Sequence, residues 1–388
     1  MGPPLPLPRE RLAALMRHAI FLAGSNLGAT APNPSVGAVV ADAASGEIIS
    51  SAVTAPGGRP HAEVLALRAA GERARGAIIV TTLEPCSHFG ATPPCAHSIA
   101  SAGISLAVYG SSDPDLRVSG RGLTWLQSHG IPVLSGFFAK ECDWLNLGHT
   151  LRVSERRPFI QIKLAVDASG HVPVGTGEPV WVTGPEARAQ AHLLRARADA
   201  ILVGRRTVEA DNPELTCRLP GLESRSPIRI VVAPRCNVSR EARIFHTGSA
   251  PVWIVCGDSS QGDQLWGLPR VKLLDIGASP GGVISLRLML MRLCAEGVTR
   301  LLVEGGPSTA RAFIEAGFAD EIIIMQGARR LAAGETILPF ADHGLELLSA
   351  SPSFILTEES KAGKDTIRVY RSNRALKQDV AHGSRASP

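Results

Sequence analysis

Aromatic side chains are scarce in this chain of 388 residues: they make up 4% of it, with only 2 Tyr and 5 Trp. No apolar run approaches the length of a membrane-spanning helix, so no membrane partner is expected. Paired cysteines are missing too. Of the 7 Cys, Cys142, Cys217, Cys236, Cys256 and Cys294 lie far apart, which points away from a disulfide-stapled secreted scaffold and towards a reducing, cytoplasmic setting. The opening MGPPLPLPRE has no charged start followed by an apolar core, and is expected to be an extended proline-rich tail without a targeting role. The net charge of +5 is spread over scattered arginines rather than gathered into a basic stripe with interleaved aromatics; nucleic acid is therefore not the expected partner, and small anionic substrates account for the charge as well. What remains is 45% hydrophobic and rich in Gly (39) and Pro (28). That composition suits a folded, loop-rich protein with length for two cores.

Metal-capable side chains concentrate in one stretch, HAEVLALRAAGERARGAIIVTTLEPCSHFGATPPC, from His61 to Cys95. His61 and Glu63 open an apolar-periodic run, so both leave the first turn of a helix in different directions; one can bind metal while the other stays free. The run AIIVTTLEP reads as a short buried strand that delivers Cys86 to a loop, and Cys95 follows after eight intervening residues. Three ligands of this kind leave the fourth tetrahedral position of zinc open to water, whereas a structural site is closed by a fourth Cys or His. Zinc lowers the pKa of bound water, and a carboxylate that is not a ligand can carry its protons. Glu63 fits that role. H-x-E followed by P-C and a second Cys is the arrangement of zinc-dependent nucleobase deaminases, although the second spacing here is eight residues rather than two.

Around this stretch, residues 9–24 carry apolar residues at helical spacing up to Gly24. VGAVVAD, AIIVTTLE and ISLAVYG read as strands interleaved with helices at 61–70 and 94–102, an α/β layered domain. A further helix from Leu123, a short strand near Val133 and a final helix to Leu147 precede a charged connector, SERRP at 154–158, where the domain boundary is placed. FIQIKLAV, AILVG, IRIVVA, VWIVC, VKLLDI, RLLVE and EIIIM are seven strand-like runs separated by helical stretches such as 185–197 and 285–296, which predicts a second α/β domain with a largely parallel sheet. FILTEESKAGKDTIRVYR reads as a hairpin, and the polar segment after Arg371 as a disordered tail. No G-x-G-x-x-G opens the second domain. In RLLVEGGPSTARAF, however, a strand runs through Gly305 and Gly306 into a helix, whose free N–H groups can bind an anion.

The motifs PNPSVG (32–37), GGRPHAE (57–63), LEPCSHFGATPPC (83–95) and DPDLRVSGRG (113–122) are followed by IKLAVDASG around Lys163, LLRARADAILVG, TVEADNPELTCR and VEGGPS. In this order, over residues 10 to 371, the chain closely resembles the bifunctional riboflavin biosynthesis deaminase/reductase family. The resemblance implies an α/β chain: a cytidine-deaminase-like three-layer α/β/α domain at 10–150, then a dihydrofolate-reductase-like α/β domain at 157–372. It implies Zn2+ and NADPH as cofactors, a phosphorylated pyrimidine as substrate, and a homo-oligomer. Zinc would be held by His61, Cys86 and Cys95, with Glu63 catalytic. Positions matching cofactor contacts are Ala165, Trp181, Thr207, Asp211, Gly306, Pro307, Ser308, Thr309, Ala310, Arg311 and Ala312. Those matching substrate contacts are Asn33, His88, Arg195, Leu215, Arg218 and Glu304; the two arginines suit phosphate because the guanidinium fork stays charged.

Four positions depart from the family's pattern. Ala91 stands where Lys or Arg is usual and Thr54 where many members have His; the S-x-D-G of the reductase appears as Asp167-Ala168-Ser169-Gly170, and Pro179 replaces a Ser. On a strand, side chains two residues apart share a face but lie nearly 7 Å apart, so Asp167 is not expected to replace a carboxylate missing at 169. Both half-reactions are then expected to be slow, with Ala91→Lys and Ser169→Asp each raising the activity of its own domain. Two other readings stay open at this level: a nucleoside or nucleic-acid deaminase sharing the zinc motif, and a paralogue of reduced activity that acts as a binding protein.

Overall fold

The computed structural model describes residues 5–89, 93–115, 119–173, 180–277, 282–332, 336–339, 344–345, 348 and 351–376. The chain divides into two compact units between Arg156 and Arg157. Among the described residues no helix is long and apolar enough to cross a membrane.

The first unit runs α1 (Arg9–Ser25), β1 (Gly37–Ala41), β2 (Ile48–Val53), α2 (Ala62–Ala70), β3 (Ile78–Leu83), α3 (Cys95–Ser101), β4 (Leu106–Ser111), α4 (Arg121–Ser128), β5 (Val133–Leu134) and α5 (Ala139–Glu155). Its sheet has the order β2-β1-β3-β4-β5, with β1 antiparallel to both neighbours and β3, β4 and β5 parallel. Both faces of the central strands are apolar because both are covered. Val39, Ala41, Ile78, Val80, Leu106 and Val108 pack with Leu12, Met16 and Ala19 of α1 and Cys142 of α5. The alternate residues Ala38, Val40, Ile79, Ala107 and Tyr109 pack with Ala62 and Ala66 of α2, Ile99 of α3 and Leu126 of α4. The result is the expected three-layer α/β/α arrangement. Sequence periodicity misses β2: IISSAV is half exposed at the sheet edge and is held by its pairing with β1, not by an apolar stripe.

Two expectations at the ends of this unit need correction. Leu7 is buried in the core with Leu12 and Leu15, so burial ties down residues 5–8 of the segment expected to be an extended tail; residues 1–4 lie outside the described residues. α5 continues through Ser154 and Glu155 and stops at Arg156, which has left-handed dihedrals; the first two residues of the charged connector are therefore helix.

The second unit runs β6 (Phe159–Val166), β7 (Val172–Pro173), α6 (Pro185–Ala196), β8 (Ala200–Gly204), α7 (Arg205–Asp211), β9 (Ile228–Val232), α8 (Arg243–His246), β10 (Val252–Cys256), β11 (Val271–Asp275), α9 (Leu286–Ala295), β12 (Arg300–Val303), α10 (Pro307–Glu315), β13 (Glu321–Gln326), β14 (Thr336–Ile337), β15 (Phe354–Ala362) and β16 (Asp365–Ser372). All seven strand-like runs are strands of one nine-stranded sheet, in the order β11-β10-β9-β8-β12-β6-β13-β16-β15. It is parallel from β11 to β13, and the expected hairpin, β15 with β16, adds two antiparallel strands at one edge. After Arg371 the chain is not immediately free: Ser372 ends β16, residues 373–376 are helical, and Ala375 is buried. The rest of that polar segment lies outside the described residues.

Strand order locates a crevice. The chain leaves β6, steps outward through β8, β9, β10 and β11, then returns as β12 between β8 and β6. Such a reversal leaves room for a ligand beyond the carboxyl ends of the strands on either side. The segments beyond those ends carry Gly305 to Thr309 after β12, Arg205 to Thr207 after β8, and Asp167 after β6.

Candidate active sites

In the first unit, His61 is the residue before α2, Cys86 follows β3, and Cys95 is the first residue of α3. The three ligand atoms lie within 4.8 Å of one another, with His61 Nδ1 3.3 Å from Cys95 Sγ and 3.8 Å from Cys86 Sγ. Tetrahedral zinc with sulfur and nitrogen ligands imposes edges of about 3.5 to 3.8 Å. One imidazole and two thiols at these separations fit the metal. The backbone prepares the thiolates: Cys95 N–H donates to Cys86 Sγ at 3.3 Å, and the N-terminus of α3 adds its positive end. The Cys86 thiol is pushed down to about 4, first by the hydrogen bond from Cys95 and also by His61, while the donor Cys95 is pushed up.

Glu63, in the first turn of α2, is 4% exposed and within hydrogen-bond reach of Cys95 Sγ. Burial pushes its pKa up, and the Cys86 thiolate adds to this, so a carboxylate that can take and return a proton sits against the ligand set. Asn33 lies at the same end of the unit: its Nδ2 donates to Gly58 O at 3.1 Å, which fastens the PNP turn to the loop carrying His61. His88 is exposed in the loop after Cys86. Thr54, where many relatives have His, is 2% exposed; its Oγ1 accepts from Val36 N–H at 2.9 Å and so closes the β1–β2 end. Ala91 lies outside the described residues.

In the second unit three segments distant in sequence meet in the crevice. Burial alternates along β6, so Gln161, Lys163 and Ala165 share one face. Glu304, the residue after β12, accepts from Arg195 Nε at 2.8 Å and Nη2 at 2.9 Å, and Lys163 Nζ is 3.6 Å away. Burial alone would raise the Glu304 pKa, but Arg195 and Lys163 hold it at about 2. Arg195 also donates to Thr216 O at 3.0 Å, so its fork orients Glu304 and the 214–218 loop together. Lys163 was only a landmark in the sequence reading; the period-two face of β6 is the signal that could have found it. His192 sits between Arg195 and Arg218. Burial, then the two arginines, hold its pKa at about 4, and its neutral Nδ1 accepts Arg218 N–H at 3.2 Å.

Leu215 is buried with φ of 57°, left-handed backbone that a branched side chain rarely adopts. It turns the chain so that Thr216 O reaches Arg195. The Arg218 side chain is half exposed and 3.4 Å from Glu214.

Thr207, on α7, accepts Gly306 N–H at 3.3 Å. The residues after β8 and β12 therefore form one wall, and burial raises the pKa of Asp211 at the end of α7. Along 306–312 the structure separates the candidates: Gly306 to Thr309 form the start of α10, Ala310 packs inward with the core, and Arg311 pairs with Glu315 at 3.1 Å on the surface, next to exposed Ala312. Trp181 is 58% exposed beneath the Arg188 guanidinium, 4.9 Å from the ring centre. Its segment crosses β13 so closely that a Cβ on Gly327 would fall 1.8 Å from Val182 O. Pro179 lies outside the described residues.

One sequence argument fails here. Asp167 to Gly170 form a turn, not a strand, and Ser169 Oγ donates to Asp167 at 2.7 Å. The two side chains are in direct contact. Asp167 also accepts from the N–H groups of Ser169, His171 and Leu331. Asp167 and Ser169 thus form a hydrogen-bonded pair, with the two residue types in the reverse order to S-x-D-G.

Two family models match the chain: the cytidine and deoxycytidylate deaminase zinc-binding region over residues 9–111, and the RibD C-terminal domain over 158–351. The riboflavin biosynthesis protein RibD of Escherichia coli is 37% identical over 364 residues, covering 90% of this chain and 96% of that protein. RibD of Aquifex aeolicus is 34% identical over 356 residues, covering 92% and 97%. Among solved structures, RibD of Acinetobacter baumannii aligns with a TM-score of 0.81 at 29% identity, covering 94% of this chain and 100% of that one. A diaminohydroxyphosphoribosylaminopyrimidine deaminase/5-amino-6-(5-phosphoribosylamino)uracil reductase of Thermotoga maritima aligns with a TM-score of 0.80 at 30% identity, covering 94% and 99%.

Proposed function

Because the chain belongs to the RibD family of bifunctional riboflavin biosynthesis deaminase/reductases, we propose that it acts on the substrates named for the Thermotoga relative. The first unit deaminates the phosphoribosylamino-diaminopyrimidinone, and the second reduces the ribosyl group of the product to ribityl with NADPH. The observation that carries this reading is a buried carboxylate, Glu63, set against a His/Cys/Cys ligand set in one unit, with a charged crevice at a strand-order reversal in the other.

Zinc bound by His61, Cys86 and Cys95 would supply a Lewis acid that makes water nucleophilic near neutral pH. Glu63 takes the proton of that water on its carboxylate and returns it to the departing amine, so the net change is water consumed and ammonia released. Asn33 and His88 face the base. In the second unit the nicotinamide supplies a hydride. Lys163 and Arg195 hold Glu304 ionised for the ribosyl hydroxyls, Arg218 takes the phosphate, and Gly306 to Thr309 with Thr207 receive the cofactor's phosphates at the start of α10. Incubating the purified chain with the diaminopyrimidine phosphate, with and without NADPH, tests both steps by mass analysis. Deaminated product without NADPH and ribityl product with it are expected; recovery of unchanged substrate in both arms refutes the reading.

A further inference from the structure

The motif SGRG and the Glu that precedes Pro85-Cys86 have no part in the chemistry above, yet they meet. Glu84 is 2% exposed and ends the buried run of β3. Its Oε1 accepts from Gly122 N–H at 3.1 Å and Leu123 N–H at 3.4 Å. Its Oε2 accepts from Gly120 N–H at 3.1 Å and Asp113 N–H at 3.4 Å. The first turn of α4 and the DPD turn after β4 therefore spend four backbone donors on one side chain two residues from a metal ligand. The two glycines have different reasons. Gly120 precedes α4 with φ of 73°, in the left-handed region that glycine enters freely. A Cβ on Gly122 would lie 2.1 Å from Pro85 O and 3.2 Å from Glu84 Oε1. The segment leading to Cys86 is pressed against bare backbone.

We propose that Glu84 is a positioning residue of the deaminase site: its carboxylate clamps the Glu84–Cys86 segment onto the start of α4 and so fixes where Cys86 presents its sulfur. The clamp needs an anion with four acceptor sites. Gln at 84 would turn an NH2 towards two of the four N–H donors, so it is not a conservative change here. Ala at 122 leaves every charge in place and displaces Pro85 by contact alone.

The inference rests on His61, Cys86 and Cys95 holding zinc, and the test separates the two claims. In the full chain, zinc affinity is measured by chelator competition for the wild type, Glu84→Gln and Gly122→Ala, and the thiolate-to-metal absorption of each Co2+-substituted protein is recorded. Outer partners of metal ligands are worth about 10- to 100-fold in metal affinity, so both variants should bind zinc weaker by about that factor with altered Co2+ bands. NADPH-dependent reduction should stay within twofold of wild type. If both variants keep wild-type affinity and bands, or lose only thermal stability, the positioning role is overturned while the metal site stands. If the wild type itself binds no zinc, both claims fall. Should Glu84→Gln not yield soluble protein, Gly122→Ala decides alone.

Discussion

Replacing Ser169 by Asp would bring this chain closer to its relatives at one position, yet the structure predicts damage. Asp167 is buried. Burial would raise its pKa, but the N–H groups of Leu331 and His171, with the hydroxyl and N–H of Ser169, hold it at about 2. The Ser169 hydroxyl is 2.7 and 2.9 Å from the two carboxylate oxygens, so a carboxylate at 169 would face another at about 4 Å; Ser169 itself is exposed, so solvent screens the pair and the repulsion is about 2 kcal/mol, at an effective dielectric constant of about 40. That energy equals about 1.5 pKa units, which carries the new carboxyl from about 4 when unfolded to about 5.5 when folded.

The sign follows from linkage: an acid whose folded pKa is raised destabilises most when both states are ionised, and the penalty shrinks as pH falls towards the unfolded pKa. We expect Ser169→Asp to lose about 2 kcal/mol at pH 8 and only about 0.5 kcal/mol at pH 4, plus about 1 kcal/mol for the missing hydroxyl donor at either pH. Exchanging both residues, Asp167→Ser with Ser169→Asp, restores one carboxylate and one hydroxyl and should recover most of the loss. Hydrogen exchange of the Leu331 and His171 amides, followed in denaturant at the two pH values, reads the effect within this unit. A single variant as protected as wild type at pH 8, or a double exchange no better than the single, refutes the reasoning.

Glu63→Gln should keep zinc and NADPH-dependent reduction but lose deamination by about 10²- to 10⁴-fold, the range for a general acid–base group; deamination within a few-fold of wild type removes Glu63 as the proton carrier. Wild-type protein should contain about one zinc per protomer, and metal analysis should find none in a Cys86→Ser, Cys95→Ser double variant. His192, with its pKa depressed to about 4 from 6.5, takes up protons on unfolding, so its contribution to stability is present above pH 6.5 and lost as pH falls to about 4. His192→Gln should flatten that part of the curve of unfolding free energy against pH, and a curve of unchanged slope would show that His192 does not titrate as the structure implies. Lys163→Met should lower reduction without changing deamination or zinc content, measured as kcat/KM for each half-reaction; an equal loss in both would point to general misfolding.

How much of this was legible in the sequence depended on the distance over which each decision is made. The central strands of both sheets announce themselves because each is covered on two faces, so Ile322 to Met325 can be apolar throughout and Ile78 to Leu83 buried throughout. β2 does not: an edge strand with one half-wet face carries Ser50 and Ser51 and is defined by its partner. The metal ligands were legible because His61, Cys86 and Cys95 belong to one local helix–strand–helix unit and their chemistry is rare. Lys163, Arg195 and Glu304 converge from 141 positions of separation on residues that each have an ordinary surface use. Only the strand order brings them together, and a charge on a β-strand face or at a helix end carries no mark of its partner.

The turn at Asp167 was misread for a local reason. Alternation along IKLAV continues into the residues that leave the sheet, and that period was followed past the local turn cue, Asp167-Ala168-Ser169-Gly170, whose Asp, Ser and Gly favour a turn. Two sets of bonds stop the strand: Asp167 accepts the nearby Ser169 and His171 amides, and the segment after β13 adds the Leu331 amide to Asp167 and accepts Ala168 N–H on Arg329 O at 2.9 Å. Once the strand ends, a Ser two residues on can reach the carboxylate. The departure from S-x-D-G then ceases to be the loss of a carboxylate and becomes a hydrogen-bonded pair with the two residue types in reverse order. The same logic applies to Glu84. A charged residue closing the run IIVTTL looks like the end of a strand meeting solvent, whereas its carboxylate is enclosed by amides contributed from 29 to 39 positions downstream. An acid in an apolar run followed by Pro-Cys, with a Gly-x-Gly later in the same domain, is thus a pattern with a physical cause: Gly120 takes the left-handed turn into α4, Gly122 is small where the chain presses on Pro85, and the acid is there because the cysteine after it must not move.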